Sequence, residues 1–123
     1  MSTPANDSPT GDGDHIEFAD FAKVDMRTGT VVSCKLNPKA RVPAYIIEID
    51  FGALGRRVSS AQLTDNYQPE DLLGKQIVAV VNFPPKRIAG IKSQVLILGA
   101  VSDTRGVVLL EPSFAVDNGV PIA

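Results

Sequence analysis

The chain has 123 residues, 44% of them hydrophobic and 6% aromatic, with no Trp and a single Cys. That size suits one domain with one modest core, a lone thiol excludes an internal disulfide, and no apolar run is long enough to span a bilayer. The formal charge of −2 conceals a split: residues 1–20 carry five acids and no Lys or Arg, leaving 12 basic against nine acidic residues for a mildly basic remainder.

Residues 1–15 hold Ser, Thr, Pro, Gly, Asn and Asp with almost nothing apolar. Such a segment cannot offset the entropy of ordering itself, so a disordered acidic tail is expected, followed by one domain over 16–123. His15, the sole histidine, reads as a solvated tail residue. Asp12-Gly13-Asp14 lacks the further acids and distal Glu of a calcium loop. Glu17–Ala22 fits one helical turn with Phe18 and Phe21 on a common face. From Val24 to Leu36 the period becomes two, which predicts a long half-buried strand with Val24, Met26, Thr28, Thr30, Val32, Cys34 and Leu36 on the mostly apolar face. Gly29 marks a bulge or sharp bend within it. Cys34 reads as packing, since no histidine is at hand to activate it.

Asn37–Pro43 is a loop by its prolines and carries Lys39 and Arg41. Ala44–Phe51 is a second strand with Tyr45, Ile47, Ile49 and Phe51 on one face. Gly52-Ala-Leu-Gly55 turns the chain and lacks the ending of a phosphate loop. Arg56–Leu63 is a third, more polar strand. In Tyr67–Gly74 an early Pro69, acids in the first turn and a terminal glycine are the marks of a short helix. The apolar runs Ile77–Val81 and Val95–Val101 are strands four and five, buried on both faces. Between them Pro84-Pro85 stops the pairing, Gly90 allows a tight reversal, and the loop carries Lys86, Arg87 and Lys92. Gly106–Leu110 is a sixth apolar segment.

This order, β-β-β-short α-β-β, predicts an all-β, five-stranded Greek-key barrel of the OB-fold type, with the helix between strands three and four and with N- and C-terminal extensions. Loops one-two and four-five of such barrels commonly hold oligonucleotides, and those are the loops enriched in cations here. Loop cations are otherwise ordinary solvated surface.

Phe21-Ala-Lys-Val-Asp-Met-Arg-Thr-Gly-Thr-Val31, Ile49-Asp-Phe-Gly52, Leu73-Gly-Lys-Gln-Ile-Val-Ala-Val-Val-Asn82 and Lys86-Arg-Ile-Ala-Gly-Ile-Lys-Ser93 resemble the tRNA-binding domain shared by the EMAP II-like proteins and the C-terminal parts of some methionyl-tRNA synthetases. The resemblance runs from about Phe18 to the C-terminus. Many members carry Asn-Ala-Asp in the first loop and Gly-Met after the serine. This chain has Lys39-Ala-Arg-Val-Pro43 and Gln94-Val95, as does the stand-alone bacterial branch. The resemblance implies a homodimeric OB-fold and tRNA binding, and for that branch a chaperone role in protein export. It maps the basic loop residues onto Lys86, Arg87 and Lys92, the signature hydroxyl onto Ser93 and the basic position of the first strand onto Arg27.

With few aromatic platforms, the expected mode is cations and hydroxyls following the phosphates and riboses of a folded RNA such as tRNA, through Arg27, Lys39, Arg41, Lys86, Arg87, Lys92 and Ser93. The alternative is a peptide-binding export chaperone, in which Ser59, Ser60, Gln62, Asn82 and Phe83 hold unfolded polypeptide if strands three and four end near each other. Surplus apolar surface at Phe18, Phe21, Val107, Val108, Leu109, Leu110 and Phe114 predicts a homodimer. Catalysis is not expected, because Ser59, Ser60 and Ser93 have no histidine partner and no Cys-His cluster exists to hold a metal. Neither a cofactor nor membrane insertion is expected, and the absence of a basic-then-apolar leader predicts a cytoplasmic location.

Overall fold

In the computed structural model, which describes residues 14–123, nearly all of the expected tail (1–15) lies outside the described residues. The elements in chain order are α1 (Phe18–Ala22), β1 (Met26–Leu36), β2 (Tyr45–Asp50), β3 (Arg56–Ala61), α2 (Pro69–Leu72), β4 (Gln76–Val80), β5 (Lys86–Ile88), β6 (Ile91–Ser93), β7 (Leu96–Ile97), β8 (Gly99–Ser102) and β9 (Gly106–Leu109). Five of them form an antiparallel sheet in the order β3-β2-β1-β4-β7, while β5-β6 and β8-β9 are separate hairpins. The sheet curls until β3 meets the residues before β7. There the N–H of Gln94 donates to Val58 O at 2.7 Å, that of Val58 to Gln94 Oε1 at 3.0 Å, and that of Ser60 to Ser93 Oγ at 3.0 Å. The barrel is thus nearly closed, as the OB-fold order predicts, with side chains substituting for part of the last ladder.

The interior is the expected face of β2 together with β4. Ile47, Ile49, Phe51, Leu72, Ile77 and Ala79 are all fully buried. Each large member contributes on the order of 1.5–3 kcal/mol by leaving water. Helix α2 plugs the barrel with Leu72. A capping box fixes its start, where the Gln68 N–H donates to Asp71 Oδ2 at 2.8 Å and Pro69 needs no donor.

Strand β1 departs from the alternation read in the sequence. Its first half pairs with β4 and its second half with β2, and the register slips between Val31 and Ser33. The bulge therefore falls at Val32 and not at Gly29, and it exchanges the two faces of the strand. Before it, Gly29 and Val31 face the core; after it, Cys34 does. Thr28 and Thr30 look the other way, toward the C-terminal segment. Thr28 Oγ1 donates to Asp117 O at 2.8 Å and accepts from Val120 N–H at 3.1 Å, while Thr30 Oγ1 donates to Asn118 Oδ1 at 2.8 Å.

The remaining differences lie in where the chain breaks and pairs its strands. The run Val95–Val101 is not one strand, because Leu98 leaves the ladder between β7 and β8. Residues 86–93, read as a loop, form the β5-β6 hairpin. The sixth apolar segment, β9, pairs with β8 of its own chain. Leu109, expected at a dimer interface, is 6% exposed and belongs to the core of its own barrel. The C-terminal extension also folds back on its own chain: Gly119 N–H donates to Thr28 O at 2.7 Å and Ile122 N–H to Met26 O at 2.9 Å.

Candidate nucleic-acid interface

The loop after β1 and the β5-β6 hairpin carry six of the seven residues expected to bind RNA, five cations and the hydroxyl of Ser93, leaving only Arg27 elsewhere. In the hairpin Lys86 faces Ser93, Arg87 faces Lys92 and Ile88 faces Ile91, so two cations sit directly opposite one another. The connecting pair, Ala89 (φ 47°) and Gly90 (φ 87°), supplies the positive φ at both centres that a two-residue hairpin of matching twist requires. Ala89 is the only non-glycine at positive φ among the described residues, at a cost of about 1 kcal/mol.

The two basic segments touch. Asn37 Nδ2 donates to Ala89 O at 3.1 Å, and the cleft beside that contact, about 290 Å³, is lined by Lys39, Arg41, Ser60, Gln62, Ile88 and Ala89 among others. Lys39, Arg41, Lys86, Arg87 and Lys92 are all exposed. The ion pairs among the described residues are Lys23–Asp20, Arg27–Asp25 and Lys75–Glu111, none of which neutralises a cation of this surface. Exposed, uncompensated cations on two abutting segments, two of them lining a cleft, are suited to phosphate oxygens.

Arg27 does not join them. Its Nε donates to Asp25 Oδ1 at 2.6 Å and its Nη1 to Gly119 O at 3.0 Å, so the guanidinium pins the C-terminal segment to β1. The hydrogen bond to Asp25 raises its pKa above the ordinary value. Ser93 is buried, and its Oγ accepts the Ser60 N–H that closes the barrel.

The five residues considered for polypeptide are dispersed, because β3 and β4 are not neighbours in the sheet. Ser60 and Gln62 line the cationic cleft. Ser59 is buried, its hydroxyl turned to Ser60 O at 3.2 Å. Asn82 ties down the entry to β1, accepting from Asp25 N–H at 3.0 Å and donating to Lys23 O at 2.7 Å. Phe83 remains exposed and lines a separate, mostly apolar cavity of about 450 Å³ with Pro84, Pro85, Lys86, Ile88 and Leu96.

Of the residues considered for a dimer, Phe18 and Phe114 are the most open, at 80% and 79%, with Phe21, Val108 and Leu110 also exposed and Val107 half-buried. Helix α1 buries no residue of its own. Among the described residues no group of three His, Cys, Asp or Glu could hold a metal, and no helix is long and apolar enough to cross a membrane. The residue that sequence reasoning missed is Asn37. It stood in a loop by its proline, and its acceptor is a main-chain carbonyl of no particular residue type.

A family model described as a putative tRNA binding domain matches residues 26–121. Solved structures resemble the chain over most of its length. A chaperone CsaA from Bacillus anthracis str. Ames is 55% identical with a TM-score of 0.84, covering 89% of this chain and 99% of that one. A CsaA chaperone protein from Picrophilus torridus is 44% identical with a TM-score of 0.84, covering 89% of this chain and all of that one. A methionine--tRNA ligase from Pyrococcus horikoshii is 37% identical over 109 residues, which are 89% of this chain and 15% of that protein. The chain therefore spans only a small part of the length of the curated relatives it matches.

Proposed function

The chain belongs to the tRNA-binding domain family, and from that premise we propose that it is a CsaA-like, non-catalytic protein that grips tRNA by its phosphates. The observation carrying this reading is the contact between the loop after β1 and the β5-β6 hairpin. It sets Lys39 and Arg41, which line the cleft, against the hairpin that carries Lys86, Arg87 and Lys92, and none of the five has a carboxylate partner among the described residues. Ser60 and Gln62 add neutral hydrogen-bonding groups to the same cleft. Arg27 and Ser93 support the barrel behind it. Titrating purified tRNA across a salt series tests the reading. If three to five phosphates are neutralised, log affinity should fall against log salt with a slope of about −2.7 to −4.5. Binding that ignores salt, or is absent at low salt, would refute it.

A second reading has its own support, since two of the solved structures that resemble the chain are named as chaperones. The apolar cavity beside Phe83 is of a size and lining to take an apolar side chain of an unfolded polypeptide, with Lys86 at its rim. In this reading the protein carries clients for export from the cytoplasm and tRNA is incidental. Phe83→Ala is expected to lose suppression of client aggregation while keeping tRNA affinity; an unchanged aggregation assay removes the cavity from the mechanism.

A further inference from the structure

Asn37 is the polar hub of the cationic cleft. It is 6% exposed and all four of its polar groups are engaged: its N–H donates to Ala44 O at 2.9 Å, its O accepts from Ala40 N–H at 3.2 Å, its Oδ1 accepts from Lys39 N–H at 3.0 Å, and its Nδ2 donates to Ala89 O at 3.1 Å. The last bond holds the strained residue of the hairpin turn. A backbone held off its preferred conformation persists only where the surroundings over-determine it, and here the restraining group comes from the other basic loop. The consequence is visible at Gly90. A Cβ built there would lie 3.0 Å from Lys39 Cδ and 3.5 Å from Lys39 Nζ, so the lysine lies across the tip of the turn. From the other side Arg87 Nη1 donates to Gly90 O at 3.3 Å. Two cationic head groups converge on one glycine, and neither pairs with a carboxylate among the described residues.

We propose that Lys39 and Arg87 form a two-cation subsite for one RNA phosphodiester at the hairpin tip, and that Asn37 is the positioning residue that holds the subsite together. The subsite rests on the tRNA reading above and adds to it which contacts are joint. The guanidinium offers a planar fork to two phosphate oxygens and the ammonium a compact charge to the third side. Fastening both loops in advance removes ordering that binding would otherwise have to supply.

The test compares tRNA binding across a salt series for wild type, Lys39→Met, Arg87→Met and the double variant. One shared phosphate predicts that the double variant loses about 0.9 of the log–log slope in total. A loss of about 1.8, divided evenly between the single variants, means two separate phosphates and overturns the subsite. Unchanged slopes in the variants beside a steep wild-type slope overturn the subsite alone, whereas a flat wild-type slope overturns the tRNA reading and the subsite with it. Inorganic phosphate at matched ionic strength tests the other source of the same chemistry: displacement of tRNA by micromolar phosphate overturns the phosphodiester assignment. Asn37→Ala keeps every cation, yet it should weaken tRNA binding roughly three- to tenfold and remove the coupling between Lys39→Met and Arg87→Met. Ala89→Gly relieves the turn strain without replacing the bond between the loops, so the double variant Asn37→Ala/Ala89→Gly should fold and still bind weakly. Wild-type affinity in either Asn37 variant overturns the positioning role.

Discussion

Gly29 shows how one missing side chain sets the spacing of the barrel. A Cβ there would lie 2.6 Å from Ile49 Cγ2 and 2.7 Å from the Phe51 ring, both fully buried, so neither neighbour can swing into solvent. Gly29→Ala should lower stability by about 1–3 kcal/mol through overpacking, read as a drop in the thermal midpoint by calorimetry. An unchanged midpoint would mean that the strand can shift. Cys34, five residues on, is governed by its surroundings in another way. Burial, helped by the charge of Glu70, pushes its thiol from an ordinary 9.0 up to about 11. Iodoacetamide should therefore label the folded protein slowly at neutral pH and rapidly only near pH 11, because the thiolate is the reactive form. Between those two values the folded chain keeps a proton that the unfolded chain has released. Stability is therefore undiminished by this group below about pH 9 and falls as pH rises through the folded value.

In the β5-β6 hairpin the proposed binding role stands in opposition to stability. Arg87 and Lys92 are direct cross-strand partners, an arrangement that repels. Lys92→Glu should therefore stabilise the hairpin by about 0.2–1 kcal/mol while weakening tRNA binding and flattening its salt dependence. Paired thermal melts and tRNA titrations read the two effects, and a variant that gained stability without losing affinity would remove Lys92 from the interface. The C-terminal segment, by contrast, is a case of long-range pairing. Its N–H groups and carbonyls are taken up by Met26, Arg27 and Thr28, so its polar residues complete the outer face of β1.

The assembled chain keeps apolar surface that its own barrel does not cover. Phe18 and Phe114 are the clearest instances, and α1 contributes nothing to the core. Exposed rings of this kind are expected to pair between copies, which would double the cationic surface and raise avidity for a large RNA. Light scattering at micromolar concentration should give twice the chain mass. Phe18→Ser combined with Phe114→Ser should return it to the mass of one chain with the fold intact. A wild-type monomer would confine the tRNA surface to one barrel.

Local pattern alone determined the order of the first four strands, the buried face of β2, the double burial of β4, the short helix before it and the two segments that hold the cations. Those features depend on alternation, proline, glycine and charge, which act over a few residues. Strand pairing and tertiary contacts decided the rest. The bulge at Val32 moved the core face of β1 from its threonines to Gly29 and Val31. Leu109 entered the core because β9 found β8. Arg27 became a clasp for the C-terminal segment because a carbonyl lay within reach. Most of all, the proposed pairing of Lys39 with Arg87 rests on Asn37 meeting the carbonyl of Ala89. Hydrogen bonds to main-chain oxygens leave no mark on residue type, so only the folded chain could reveal that contact.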